Sequence, residues 1–507
     1  MIRHSFRPAI VVVMSATLVA APLVAAPLVT ASAQRAKSAS QSASQSFDRT
    51  IVPTAGATPE LQVPTWTKTT LANGAELIVS EKHALPLVSF QINFVGGADQ
   101  YEPADKTGLS SFVASMLTEG TTHRTGDQIA NDLQLLGTSI GTGIGPESGR
   151  MAFTSTTAKF APTLTILADL LENPTFPKEA LDRLRGRSLV ALTQSRDRTS
   201  GIAQVVFPKV LYGTQHPYGR SPDEASLKSI TRDDLVSFYK SYFQPGHAII
   251  TVVGDVKPGD VKALIDKELA GWAHGGSVPR FDYPTLSQPK ATTIYLVDKP
   301  GAAQSTFAIG EVGPPRDTPD YYAIRVMNEM LGVLFQSRLN HNIREVKGYS
   351  YGVGSGFAFG RGPGAFRTGG EIVTAKSDSA LIEFMKELRD VRGARPPSDE
   401  EMSQAKASLV QSLPANFASV NGVNGNIASL YTQGLPEDYF QRFSAAVNAV
   451  TKDDVVRVAQ KYIDPDHLAI VIVGDKAKIE APLAATKIAP IVVLDVTGNP
   501  VKATVTP

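Results

Sequence analysis

The chain contains no cysteine. That excludes disulfide staples, a thiol nucleophile and a lipid-modified N-terminal cysteine. Excess charge of one sign is also missing. Forty-nine basic side chains stand against 48 acidic ones for a net charge of +1, so neither nucleic acid nor an anionic membrane is implied as the main partner. Histidine is scarce, with eight in 507 residues, and no two stand at the i, i+4 spacing that lets one helix face grip a metal. No G-x-S-x-G or S-x-x-K motif sits in a context that supports nucleophilic catalysis. Beyond residue 33 no apolar run approaches the length of a membrane span.

What is present begins at the N-terminus. Arg3, His4 and Arg7 form a basic cluster, residues 8–30 are rich in Ala, Val and Leu, and Ala31-Ser32-Ala33 is a small-x-small site. This order predicts a secretory signal peptide over 1–33, cleaved after Ala33. The apolar stretch is almost long enough for an uncleaved anchor, but Pro22, Pro27 and the Ala-x-Ala site favour cleavage. The mature protein is then expected to be soluble, in a periplasm or secreted, and the lack of disulfides favours a bacterial periplasm. Residues 34–60, rich in Ser, Ala and Gln, predict a flexible leader. At 507 residues with 42% hydrophobic content, the chain can fill two or more cores.

The remainder is duplicated. Thr231-Arg232-Asp233-Asp234-Leu235-Val236 recurs as Thr451-Lys452-Asp453-Asp454-Val455-Val456, Tyr242, Pro245 and His247 recur as Tyr462, Pro465 and His467, and Gly254-Asp255 recurs as Gly474-Asp475. The offset is 220 residues throughout. Each copy predicts a helix capped by Thr231 or Thr451, a proline turn, and a buried strand over 248–253 or 468–473. The expected fold class is α+β: two homologous halves forming a clamshell, each with an antiparallel-rich sheet packed by helices. The expected bounds are 61–274 for the N-terminal repeat, 275–290 for a Gly/Pro-containing linker, 291–490 for the C-terminal repeat and 491–507 for a tail.

Several motifs in fixed order carry a resemblance. They include Leu71-Ala72-Asn73-Gly74, Gly96-Gly97, Gly108-Leu109, Glu119-Gly120-Thr121 with Arg124, Asn173-Pro174-Thr175-Phe176-Pro177, and His216-Pro217-Tyr218-Gly219. Leu331-Gly332, Ser337-Arg338-Leu339 and Arg344-Glu345 follow in the second half. Together they resemble the pitrilysin-type zinc peptidases, in the two-repeat branch that includes mitochondrial processing peptidase. Active members of that family carry H-x-x-E-H on the helix that opens at the Gly-Leu pair, and a further Glu about 76 residues later completes the zinc site. Here Ser111, Ala114 and Ser115 occupy the two His and the Glu positions, and Ala191 falls at the downstream ligand position. No zinc is therefore expected in this chain. The helix's apolar stripe of Leu109, Phe112, Val113, Met116 and Leu117 is intact, so the packing was kept while the ligands were lost. His216, His247 and His467 lie in motifs where the resemblance implies structural roles.

The second half retains one feature with chemical meaning. In the family an Arg and a Tyr seven residues apart contact substrate and help stabilise the reacting carbonyl. Arg344 and Tyr351 stand at that separation. Guanidinium and phenol are suitable donors for an oxyanion, a peptide carbonyl or a terminal carboxylate. Alternatively, Arg344 pairs with an acid and Tyr351 packs in the core. Ile324, Met327, Leu331 and Leu334 predict an amphipathic helix running toward Arg344, ended by Gly348 and followed by a strand. Tyr349 has the wrong spacing for the pair, and 360–364 (Gly-Arg-Gly-Pro-Gly) predicts a plain turn rather than a phosphate cradle.

Lost ligands with a retained Arg/Tyr pair imply the non-zinc subunit of a heteromeric peptidase, with zinc in a homologous partner and a peptide as substrate. The alternative is an inert scaffold or peptide-binding homologue. A stand-alone hydrolase with a new centre is the remotest reading.

Overall fold

The computed structural model describes residues 61–272, 275–276 and 281–501. The expected signal peptide and leader, 1–33 and 34–60, lie outside the described residues, as does His274. Among the described residues no helix is long and apolar enough to cross a membrane.

The duplication reappears as two six-stranded sheets. The first contains β1 (Thr67–Thr70), β2 (Glu76–Glu81), β3 (Leu87–Val95), β4 (Gly141–Ile144), β5 (Ser148–Thr156) and β6 (Ala248–Gly254), in the order β1-β2-β6-β3-β5-β4. The second contains β7 (Thr293–Asp298), β8 (Gln304–Val312), β9 (Ser350–Phe357), β10 (Ala365–Val373), β11 (Ala469–Gly474) and β12 (Ile491–Leu494), in the order β12-β7-β11-β8-β10-β9. Five strands match in order and direction, and within those five each sheet has one parallel pair (β2/β6 and β7/β11) among antiparallel neighbours. The sixth strand differs: β1 pairs antiparallel to β2, whereas β12 lies parallel to β7. The stretch from 491 onward, read as a tail, thus supplies a strand. Four residues with alternating exposure are a weak local signal beside an established edge.

β6 and β11 are buried along their whole length, as their unbroken apolar runs require of central strands covered on both faces. The cover is exchanged between the halves. Helix Thr199–Tyr212 of the first half lays Ile202, Val206 and Phe207 against Val297, Ala308, Val471 and Val473 of the second sheet. Helix Val420–Thr432 of the second half packs Val420, Val423 and Ile427 against Ile249 and Val253 of the first. Each half therefore completes the other's core.

The repeated helices Arg232–Tyr242 and Lys452–Tyr462 begin identically. Thr231 and Thr451 accept from the N–H of Asp234 and Asp454, whose carboxylates accept in return from the threonine N–H groups at 2.8 and 3.0 Å. They diverge at the far end. The hydroxyl of Tyr242 donates to the carbonyl of Gly96 at 2.8 Å, while Tyr462, Lys461 and Arg457 all donate to the Asp320 carboxylate at 2.7–2.8 Å. Partial burial opposes the charge on Asp320, but these three donors outweigh it and hold the carboxyl down at about 2. A folded value below the unfolded one means that the stabilisation is full above pH ~4 and is lost as pH falls toward 2. Asp320→Asn is expected to cost about 2 kcal/mol at pH 7 and almost nothing at pH 2, read from denaturation midpoints across that range.

Candidate functional site

The helix carrying the lost ligand positions spans Leu109–Met116 and opens at Gly108, whose φ of +105° suits glycine. Leu109, Phe112, Val113, Met116 and Leu117 are all buried, as the stripe predicts. Ser111 and Ser115 are exposed, and Ala114 is buried beneath β4, where Thr142 Oγ1 donates to its carbonyl at 2.7 Å. Ala191 is exposed on helix Lys178–Ser195. Two hydroxyls and two methyls do not fit a zinc ion, which is held by imidazole, carboxylate or thiolate. Among the described residues no group of three or more His, Asp or Glu gathers into a metal-holding cluster. Metal analysis of the purified chain alone is expected to find only substoichiometric zinc.

The second feature is brought together in space. Arg344 stacks between two aromatic faces, its guanidinium carbon 4.6 Å from the Phe335 ring centroid and 5.1 Å from that of Tyr351. Its Nε also meets Glu345 at 3.1 Å, a solvent-exposed pair of small energetic weight. Tyr351 is 86% exposed, so the reading in which it packs in the core fails. The route to this geometry differs from the single helix predicted. Helix Tyr321–Asn328 continues as a π-helical turn, Glu329–Val333, and the chain then becomes extended at Leu334. It resumes at Arg338–Asn340 and His341–Val346. β9 packs closely against this turn: a side chain on Gly332 would come within 2.3 Å of the Ser355 backbone nitrogen. Gly348 does end the segment, at φ +65°, donating to the Arg344 carbonyl while Tyr349 donates to that of Ile343. That reversal returns Tyr351 beside Arg344.

Three histidines of the sequence motifs sit away from the Arg344–Tyr351 pair. His216 is buried, accepts from the Tyr218 N–H at 3.1 Å and stacks between Tyr212 and Tyr283. His247 is buried against Tyr101, and desolvation lowers both imidazoles below their ordinary value. His467 pairs with Asp464 at 2.7 Å.

A cavity of about 670 Å³ adjoins the lost-ligand helix, which contributes Ser110 and Ser111 to its wall. Of the residues that organise it, the sequence singled out Tyr218 and the 360–364 turn, but not Glu147 or Tyr283. Glu147, on the turn into β5, accepts from the backbone N–H groups of Arg361 (2.8 Å) and Gly362 (3.4 Å) and from the hydroxyls of Tyr218 and Tyr283. The turn over 360–364 thus does cradle an anion, a carboxylate from the other half. The Tyr283 hydroxyl is also 3.1 Å from Asp99, so its single proton is shared between the two carboxylates. Tyr283 comes from the stretch read as a linker, where an aromatic among prolines was the one available clue.

The profile described as "Insulinase (Peptidase family M16)" matches residues 78–212, and "Peptidase M16 inactive domain" matches 229–409. The chain is similar to an uncharacterized zinc protease of Rickettsia felis, 24% identical over 77% of this chain and 93% of that protein. It is 21% identical to a Helicobacter pylori protein named non-peptidase homolog YmxG, over 79% and 92% of the two chains. A probable mitochondrial-processing peptidase subunit beta of Arabidopsis thaliana is 24% identical over 82% and 79%. Among solved structures, a peptidase M16 inactive domain from Pseudomonas fluorescens superposes with a TM-score of 0.75 at 26% identity, covering 81% of this chain and 98% of that one.

Proposed function

The chain belongs to the pitrilysin-type peptidase M16 family, on its branch without zinc ligands, and from that premise we propose that it is the non-zinc subunit of a heteromeric periplasmic peptidase. Its role is to present Arg344 and Tyr351 to a peptide held against a zinc-bearing homologous subunit.

The observation that carries this reading is the Arg344–Tyr351 stack, two donors side by side with the tyrosine turned to solvent. A residue 86% exposed contributes little to the fold. Its placement over a guanidinium makes sense when a second surface covers it. Burial by a partner would remove water and strengthen both donors toward a developing oxyanion. That several relatives are named as subunits is consistent with a divided enzyme. The N-terminal signal-like stretch supports export.

A second reading, an inert peptide-binding homologue, is favoured by the name of the Helicobacter relative. The test separates the two. The chain is co-purified with a zinc-bearing homologue, and the mixture is assayed for peptide hydrolysis with the wild type, Arg344→Ala and Tyr351→Phe. Assembly with turnover that falls in both variants supports the divided enzyme. Assembly with turnover unchanged in both defeats it.

A further inference from the structure

The first sheet also carries a cavity on the face opposite the lost-ligand helix. Along β3 and β5, Phe90, Ile92, Met151 and Phe153 pack with that helix in the core of the first half. The alternate residues Ser89, Gln91, Arg150, Ala152 and Thr154 therefore face the other way. There they line a space of about 980 Å³, bounded by helix Gly126–Leu136, the connection that follows it and the borrowed helix Val420–Thr432. Among the described residues that line it, Arg150 alone is charged. Its guanidinium has no hydrogen-bond or ion-pair partner among the described residues.

Gln91 is the second unused group. Only 5% of it is exposed, it lines the cavity, and its side-chain amide has no hydrogen-bond partner among the described residues. A buried amide is unfavourable unless something that enters the cavity satisfies it. Gln91 stands opposite Ala152, so Arg150 is its diagonal neighbour, at a spacing of roughly 7 Å that long side chains bridge. Asn421 adds a donor, because its amide oxygen accepts from the Thr154 hydroxyl at 2.7 Å and its nitrogen is left over. Two glycines widen the space. A side chain on Gly425 would meet nothing within 4 Å, and one on Gly141 only a carbonyl at 3.9 Å, so packing demands glycine at neither position.

The duplication supplies a comparison. By strand register, Arg367, Ala308 and Glu371 of the second sheet stand where the first has Arg150, Gln91 and Thr154. There the guanidinium lies 5.5 Å from the Phe207 ring centroid, and Glu371 lines the same cavity. The second half places an acid in the cavity with its arginine, and the first does not.

We infer that the first-sheet cavity binds a carboxylate, with Arg150 as its counter-ion and the Gln91 amide as a further donor. A guanidinium presents two parallel N–H groups to the two oxygens of a carboxylate, and a neighbouring amide N–H fits a remaining lone pair. The carboxylate belongs to an acidic side chain on a peptide or to a free dicarboxylic acid, which present the same group to Arg150. The inference does not depend on the subunit reading.

The experiment uses the full chain without a partner. Titration calorimetry compares acetyl-Ala-Ala-Glu-Ala-Ala-amide with its Gln counterpart, and glutarate with neutral glutaramide. At least one acid is expected to bind about 10-fold more tightly than its neutral amide. A preference confined to the peptide pair identifies a peptide side chain as the source, and one in the glutarate pair a free acid. Arg150→Gln should bring acid and amide to within about 2-fold of each other. Arg150 is exposed, so this change tests charge rather than folding. Thr154→Glu, which copies the acid of the second half, should abolish the preference with Arg150 still in place. Arg367→Gln should leave it unaltered. Equal affinity of acid and amide in both pairs, or no binding of either acid, would overturn the inference without any variant. So would a preference that survives Arg150→Gln or Thr154→Glu, or one that is lost in Arg367→Gln. None of these outcomes touches the subunit reading, which stands or falls on turnover of the co-purified assembly.

Discussion

In an assembly with a zinc-bearing homologue, Arg344→Ala is expected to lower kcat/KM for a peptide by about 100-fold, and Tyr351→Phe by roughly 5- to 10-fold. The difference follows from charge. A guanidinium facing an oxyanion in a site closed to water makes a charge-assisted bond, and loss of such a donor costs ~3 kcal/mol in the transition state. A neutral phenol contributes about 1 kcal/mol. Arg344→Lys should fall between them: it keeps the charge but loses the flat stack between Phe335 and Tyr351 and the second N–H toward substrate. Folding of the chain itself should change by less than ~0.5 kcal/mol, because neither residue fills a core and the Glu345 pair is exposed. The measurement pairs steady-state kinetics with an assembly readout such as light scattering. Intact assembly with reduced kcat places the loss in the transition state; a raised KM alone would make the pair a substrate grip.

The parts of this protein that were legible beforehand are those whose causes are local. Thr231 and Thr451 each stand three residues before an aspartate at a helix start, and both form reciprocal caps. The apolar runs at 248–253 and 468–473 had to be central strands, and they are β6 and β11. The spacing of Arg344 and Tyr351 was readable, and Gly348 supplied the reversal that joins them. The path to the pair was not readable. A 3.6-residue stripe through Ile324, Met327, Leu331 and Leu334 says nothing of the close approach of β9 to Gly332 or of the π-helical turn that replaces the regular helix there. The exchange of helices between sheets was hidden for a related reason. Both Thr199–Tyr212 and Val420–Thr432 look like ordinary buried helices, and their periodicity does not say whose sheet they cover. Tyr283 and Glu147 illustrate the same limit at the site. Their meaning comes from a contact between distant residues, 136 apart in the chain.

That exchange also predicts the most damaging single substitution. Asn424 lies fully buried on the helix that the second half lends to the first sheet. Its amide nitrogen donates to the Ser89 carbonyl (2.8 Å), the Ser89 hydroxyl (3.0 Å) and the Thr251 carbonyl (3.2 Å), on β3 and β6. Asn424→Asp keeps the shape and reverses the chemistry. A carboxylate would face two carbonyl oxygens, with only the Ser89 hydroxyl able to turn and donate to it. A buried charge left without its partner costs about 3–5 kcal/mol, which is much of the stability of an ordinary domain. Asn424→Ala, which removes the donor without adding charge, should cost less, about 1–3 kcal/mol. The sign of the pH effect tells the two apart. Burial raises the introduced carboxyl above its unfolded value, so the penalty relative to wild type at the same pH is relieved as pH falls and grows as pH rises through the folded value. The alanine variant should show no such dependence. Urea midpoints with unchanged slope at pH 5 and 8 would establish the pattern, and an aspartate variant as stable as wild type at pH 8 would mean that this helix does not dock on the first sheet in solution. The loss should reach the site as well. The cavity beside the lost-ligand helix takes Phe207 from the other exchanged helix and its far wall from the turn that cradles Glu147, so loosening the halves shifts Ala358–Ala365 away from Ser111 and Asp99. Turnover and peptide binding should therefore fall in Asn424→Asp under conditions where most of the chain is still folded.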